Sequence, residues 1–312
     1  MQSSPSKDKG LPEGYVSTRR GSVEVVAHLG YVETLDRWGI FELETLLSDP
    51  ARIRRRSTGR VPHAVVDGPG GRLASLFVRE YRHGGLFGRI LRHRFISRGR
   101  PIRELVVSDR ARSARVPTPE IVAYVGTGLP GIAHRRAVMV ALEGYRDLVD
   151  WLGPGGSTAE MSRKEVAHRR AALGRLAVEV RRLHDAGVDH ADLHVKNLMV
   201  QSEVDDGHEP AVALVDLDKS SWVEGRDGLS EDRRRRNLVR LDRSVEKLVR
   251  RGGSITRTER LRFLREYHGG VLPGRARLEV LLRDRERALR RHGRGWALGR
   301  RWRSWAQRGQ PS

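Results

Sequence analysis

The 312 residues carry 60 Lys and Arg against 39 Asp and Glu, a formal net charge of +21, and no cysteine. The missing thiols exclude a disulfide framework, thiol catalysis and a zinc-thiolate site. No run approaches the roughly 18 apolar residues of a spanning helix, and Met1 to Gly10 is polar with no secretory apolar core, so a cytoplasmic protein with an anionic partner is expected.

The length predicts two lobes or domains with a sizeable core. The charge is uneven. Arg226 to Ser312 holds 26 Arg and Lys against 10 Asp and Glu, so 16 of the 21 surplus charges lie there. Part of the arginine abundance can reflect genomic base composition.

Residues 1–20, rich in Ser, Lys, Pro and Gly, read as a flexible terminus. Val23 to Leu29 and Tyr31 to Leu35 read as short strands, and Phe41 to Leu47 as a helix stopped by Asp49-Pro50. Ser57-Thr58-Gly59-Arg60 precedes the apolar strand His63 to Val66. Asp67-Gly68-Pro69-Gly70-Gly71 then turns the chain into a second strand, Leu73 to Val78. A leading loop of small residues lets backbone N–H groups approach phosphates, so Ser57, Thr58, Gly59 and Arg60 are nucleotide-binding candidates. An ordinary β-turn is the alternative.

Alternation through Leu76 to Tyr81 puts Phe77, Arg79 and Tyr81 on one face. Arg79 is the candidate cation for ATP phosphates. Pro101 to Val107 begins a helical pattern, and Glu104 on it is the candidate carboxylate partner of Arg79, a solvated surface Glu being the alternative. Arg115 to Glu120, with two prolines, is a rigid connection into the strands Ile121 to Val125 and Ala137 to Leu142. Glu143-Gly144 reads as a hinge between lobes, where adenine would meet backbone groups. Arg146 to Leu152 starts the second lobe as a helix.

Glu165 to His184 is the most regular helix pattern in the chain, with Val166, Leu173, Leu176, Ala177, Val180 and Leu183 at helical spacing and Gly187 as its cap. It leads into His190-Ala191-Asp192-Leu193-His194-Val195-Lys196-Asn197, and Leu214-Val215-Asp216-Leu217-Asp218 follows. Protein-kinase-type phosphotransferases use this order: a catalytic-loop Asp, an Asn five residues on, and a metal-binding Asp on the next strand. Asp192 would take and aim the proton of an acceptor hydroxyl. Asn197 and Asp216 offer hard oxygen donors suited to the Mg2+ that neutralises ATP phosphates. A strand at Leu198 to Gln201, a polar turn and a returning strand at Ala211 to Val215 would bring both donors to one end. His184 and His190 lack a matching ligand cluster and read as polar supports of the loop.

Asn237 to Leu248 places Leu238, Leu241, Val245 and Leu248 on one helix face, with Arg240, Arg243 and Lys247 on another. A second helix is expected over about Arg275 to His292. The tail interleaves Trp296, Trp302 and Trp305 with Arg300, Arg301 and Arg303, a pattern suited to a membrane interface or a nucleic-acid groove, or to packing of the tryptophans on the lobe.

Four stretches together resemble the bacterial lipopolysaccharide kinases, most closely the Kdo kinases. They are Phe77-Val78-Arg79-Glu80-Tyr81-Arg82-His83-Gly84-Gly85-Leu86, the run from Leu183 to Leu193, Leu214-Val215-Asp216-Leu217-Asp218-Lys219, and Asn237-Leu238-Val239-Arg240-Leu241-Asp242-Arg243-Ser244. Two positions depart from the pattern, Leu217 standing for Phe and His83 where an Arg is common, while Arg79 replaces the usual protein-kinase lysine and is compatible with the Kdo kinase pattern. The resemblance implies an α+β, two-lobed protein-kinase-like fold, with residues 21–143 as a β-rich N-lobe and 144–295 as a mainly helical C-lobe, leaving 296–312 as the basic tail. It implies ATP and Mg2+, and transfer of phosphate to a sugar hydroxyl of Kdo-lipid A or the inner core. The expected place is the inner face of the cytoplasmic membrane, held peripherally on its anionic surface, with no nucleic-acid partner. A soluble small-molecule kinase of the aminoglycoside phosphotransferase type is the alternative.

Overall fold

The structure is a computed structural model that describes residues 10–57, 62–81, 99–129, 132–153, 161–202, 209–223, 228–274, 279–287 and 290. Thr58, Gly59 and Arg60, the double-glycine stretch from Arg82 and the Trp/Arg tail lie outside the described residues. The chain divides into two compact units. The first runs to Tyr145 and takes in Ala213–Trp222; the second holds Arg146–Val212 and the residues from Val223 on.

The first unit is built on antiparallel strands: β1 (Tyr15–Arg20), β2 (Val23–His28), β3 (Ile53–Ser57), β4 (His63–Gly70), β5 (Leu73–Glu80), β6 (Ile121–Leu129) and β7 (Ile132–Val140). They form one sheet in the order β1-β2-β6-β7-β5-β4-β3. The period of two divides the sheet's side chains between two cores. Val25, Ala64, Val66, Leu76, Val78, Val125 and Val138 face α1 (Val32–Trp38) and α2 (Leu43–Ser48), which contribute Leu35 and Leu43. Tyr15, Val26, Tyr81, Tyr124, Ala137 and Met139 face α3 (Gly99–Ser113), which contributes Leu105. Gly68 allows the bulge where β4 turns toward β5, because a Cβ there would lie 1.8 Å from the Leu73 carbonyl oxygen.

Two expectations for the N-terminal region fail. The segment expected to be flexible contains β1, held by its pairing with β2 and by the Tyr15 hydroxyl donating to the Ile121 carbonyl at 2.7 Å. The strand expected over Tyr31 to Leu35 is the start of α1. Gly39 caps that helix at φ 94°, and Leu35 is fully buried where helical spacing puts it.

β8 (Tyr145–Asp147) carries the chain into the second unit, where Asp147 caps the short helix α4 (Leu148–Trp151). α5 (Arg163–Asp185) opens with a Ser162–Glu165 capping box and buries Leu173, Leu176, Ala177, Val180 and Leu183. It leads through β9 (Val188–Asp189) to the loop before β10 (Leu198–Gln201), and the chain returns through β11 (Val212–Leu214) and β12 (Ser221–Trp222). α6 (Glu231–Val249) buries Leu238, Leu241, Val245 and Leu248.

α7 (Arg257–Tyr267) has no counterpart in the sequence reading. It packs on α5 through a buried ion pair, Arg169 Nε to Glu259 Oε1 at 2.6 Å, and Glu259 also completes the Thr256 capping box. Beyond it, residues 279–287 are helical, inside the span expected for the last helix.

Candidate active site

In the first unit, Arg79 leaves β5 at a buried position and forks. Its Nη2 donates to both oxygens of Glu104 on α3, at 2.6 Å and 2.8 Å, and its Nη1 donates to Asp216. One planar guanidinium thus reaches two carboxylates, which a single ammonium could not do with the same geometry. Burial alone would lower Arg79, but Glu104, Tyr81 and Asp216 hold it well above the ordinary guanidinium value. Burial pushes Glu104 upward, and the Arg79 charge and the Tyr81 hydrogen bond offset only part of that.

Two tyrosines complete this cluster. The Tyr81 hydroxyl donates to Glu104, and Tyr124 lies 2.7 Å from the Tyr81 oxygen and 3.3 Å from the same carboxylate. Burial, then Glu104, pushes both phenols well above their ordinary range, so they remain donors. Tyr81 shares the alternating face of Arg79 and was legible as a neighbour. Tyr124 comes from β6 and needed the strand order.

Asp216 follows β11, whose Leu214 N–H donates to the Pro117 carbonyl at 2.8 Å. Its backbone is left-handed, φ 64°, a region asparagine and aspartate tolerate better than other side chains. Two residues on, the buried Asp218 pairs with Arg100 at the start of α3, and that guanidinium lies over the Tyr81 ring. The carboxylates of Asp216-Leu217-Asp218 are therefore held by two arginines from two elements. Neither Arg100 nor Asp218 stood among the sequence candidates.

The second unit holds the other pair. Asn197 is buried at the end of a short turn after His194, and its amide nitrogen donates to the Asp192 carbonyl at 2.9 Å. That hydrogen bond orients the amide and leaves its oxygen as a donor for a cation. Asp192 keeps a partly exposed carboxylate, 3.9 Å from His194 Nε2. His184 and His190 are fully buried. The His184 ring meets the Tyr267 hydroxyl at 2.7 Å, and burial, with the charges of Arg234 and His190, pushes its pKa down to about 3.

Of the remaining candidates, Ser57 ends β3 opposite His63. Glu143 is exposed and ion-paired with Arg54 at 2.6 Å, just before the left-handed Gly144. No cluster of three or more His, Asp or Glu suited to a metal occurs among the described residues. Mg2+ commonly takes one or two carboxylates plus substrate phosphates, and the oxygens of Asp216 and Asn197 fit that donor chemistry.

A strand-borne arginine paired with a helix carboxylate, an Asp–Asn loop and a second Asp after the next strand, on a sheet-rich unit and a helical unit, define a phosphotransferase of protein-kinase-like fold. The family described as "Lipopolysaccharide kinase (Kdo/WaaP) family" matches residues 55–267, and the chain belongs to that family. It is a kinase of lipopolysaccharide sugars with an alcohol group as acceptor, and the family implies ATP as phosphate donor.

Curated relatives named 3-deoxy-D-manno-octulosonic acid kinase include one from Vibrio cholerae, 29% identical over 187 residues, covering 56% of this chain and 67% of its own. One from Xanthomonas campestris pv. campestris is 31% identical over 208 residues, covering 61% of this chain and 68% of its own. The solved structure of "WaaP in complex with acyl carrier protein" shares the fold, with a TM-score of 0.55, 21% identity, and coverage of 82% of this chain and 95% of that one.

Proposed function

We propose that this kinase phosphorylates a hydroxyl of the 3-deoxy-D-manno-octulosonic acid (Kdo) sugar in Kdo-lipid A. The observation that carries this choice is the shared name of the curated relatives that match over more than half of the chain. In this reading Asp192 accepts the proton of the sugar hydroxyl and aims it. Asn197 and Asp216 hold Mg2+, which would neutralise the donor phosphates. Arg79, fixed by Glu104, contacts the α- or β-phosphate. Ser57, Thr58, Gly59 and Arg60 cover the phosphates, and the backbone around Glu143 receives the adenine. The Arg79–Asp216 contact then exchanges for contacts to metal and phosphate when the nucleotide binds.

The acceptor is lipid-linked and anionic, so the enzyme works at the cytoplasmic membrane face. No helix among the described residues is long and apolar enough to cross a membrane. Attachment in this reading is electrostatic, through arginines of the C-terminal region, each worth about 1 kcal/mol near an anionic surface. Incubation with ATP, Mg2+ and purified Kdo-lipid A, read by mass spectrometry, should show one added phosphate on the sugar. An unchanged acceptor beside a competent control enzyme overturns the assignment. Sedimentation with anionic vesicles, lost at high salt, tests the attachment.

A further inference from the structure

The charges of α6 are segregated. Its mid-helix acids, Asp242 and Glu246, lie on one flank and are taken up by Arg260 and Arg285, with Arg285 Nε 2.6 Å from Asp242 and its Nη2 3.1 Å from Glu246. The other flank carries Arg236, Arg240, Arg243 and Lys247, spaced by four, three and four, so they form one stripe. None of these four has an acidic partner among the described residues.

Arg243 is the anomaly in the stripe. It is half-buried, and its Nε–H is shielded from solvent with no hydrogen-bond partner. Burial, then the neighbouring Arg240 charge, pushes its guanidinium below the usual value. Two like charges three residues apart, one partly desolvated, are unfavourable unless an anion joins them.

The helix is also fastened along the loop that carries Asp192. At one end the Asn237 amide donates to Asp189 at 2.6 Å, and at the other the Val195 N–H donates to the Ser244 hydroxyl at 3.0 Å. Arg240 and Arg243 therefore sit on the helix turns that adjoin the catalytic loop, within the same unit.

We propose that Arg240 and Arg243 form the binding site for the carboxylate of the acceptor's acidic sugar. The pair positions the sugar so that its hydroxyl is presented to the loop of Asp192. This rests on the acceptor proposed above and adds the residues that select an acid over a neutral sugar. Arginine suits the task, because its planar fork matches a carboxylate.

The test compares the full chain with its Arg243→Gln, Arg240→Gln and Arg243→Lys variants, using ATP, Mg2+ and Kdo-lipid A. The second acceptor is the same lipid with the sugar carboxylates converted to methyl esters. Loss of one charge-assisted contact should raise the KM for the native acceptor at least about tenfold, with kcat and the KM for ATP nearly unchanged. On the ester, wild type and the Gln variants should be alike, and Arg243→Lys should recover part of the native affinity. Equal penalties on both acceptors, or an unaltered KM on the native one, overturn the site. A penalty that disappears when the lipid A phosphates are removed, rather than the carboxylate charge, assigns the stripe to phosphate and also overturns it.

Titration of free 3-deoxy-D-manno-octulosonic acid, followed by ligand-detected NMR, separates this from the proposed activity. Binding by the wild type that is lost in Arg243→Gln upholds the carboxylate site even if Kdo-lipid A gains no phosphate. No binding by the wild type, or equal binding by both, rejects it even if Kdo-lipid A is phosphorylated.

Discussion

Arg79 binds both carboxylate oxygens of Glu104 through a single nitrogen, at 2.6 Å and 2.8 Å, which leaves its other terminal nitrogen for Asp216. The position thus demands a fork as well as a charge. Arg79→Lys should keep Glu104 paired while loosening the contact on the Asp216 side. Its kcat/KM for ATP should fall by about tenfold to a hundredfold, the range of one charge-assisted hydrogen bond. Arg79→Ala should fall further, because Glu104 is left buried without a cation. Acceptor KM should hardly change in either. Steady-state kinetics with ATP varied at saturating acceptor decides this, and a wild-type KM for ATP in Arg79→Ala rejects the phosphate-contact role.

Asp216→Asn is the matching test of the metal role. Asparagine tolerates the left-handed backbone at φ 64°, so the turn should survive. Only the negative charge is removed. Turnover should drop below about a tenth of wild type, since charge neutralisation and positioning supply most of this chemistry. The thermal midpoint should stay close to wild type. Retained turnover at saturating Mg2+ excludes Asp216 as the essential metal ligand.

The local patterns made much of this legible, and the gaps have physical causes. The 3.6-residue stripe of α5 and the two-residue alternation of β5 are set by short-range periodicity, so Leu176, Val180, Arg79 and Tyr81 could be placed from sequence. Glu104 could be assigned to Arg79 because a kinase-like order brings one helix to that strand. β1 was missed because its Ser and Arg residues carry no apolar signal; its partners Val25 and Val26 supply the order. α7 was missed because Arg, Glu and Thr dominate its sequence. Its place depends on Arg169, which looks like a surface residue on α5 until Glu259 arrives from 90 positions away. Asp218 and Arg100 are separated by 118 residues, a pairing no local pattern encodes.

The Arg169–Glu259 pair yields a stability prediction. Arg169 is 2% exposed and Glu259 7%, so removal of one partner leaves a charge in low dielectric. Arg169→Ala should destabilise the second unit by about 3–5 kcal/mol, the usual cost of breaking a buried pair. Glu259→Gln should cost less, because the amide can still cap Thr256. Urea unfolding followed by tryptophan fluorescence and circular dichroism measures both, and a loss below about 1 kcal/mol for Arg169→Ala shows that the pair is solvated.

His184 is fully buried against Tyr267, with its pKa pushed down to about 3 by burial and by the charges of Arg234 and His190. In the unfolded chain a histidine titrates near 6.5. The unfolded state therefore takes up the proton first, and stability rises with pH wherever that holds. The contribution of the neutral ring is complete above about pH 6.5 and is lost progressively as the pH falls toward 3. Each pH unit inside that window should cost about 1.4 kcal/mol, so roughly 2 kcal/mol should be gone by pH 5. Carboxylates such as Glu259 also lose stability in acid, so the measurement must be differential. Denaturant unfolding of wild type and His184→Gln at pH 7.5 and pH 5 provides it. The wild type should lose about 2 kcal/mol more than the variant between the two conditions. Equal losses in both proteins mean that His184 accepts its proton in the folded state, and the acid sensitivity then belongs to other groups.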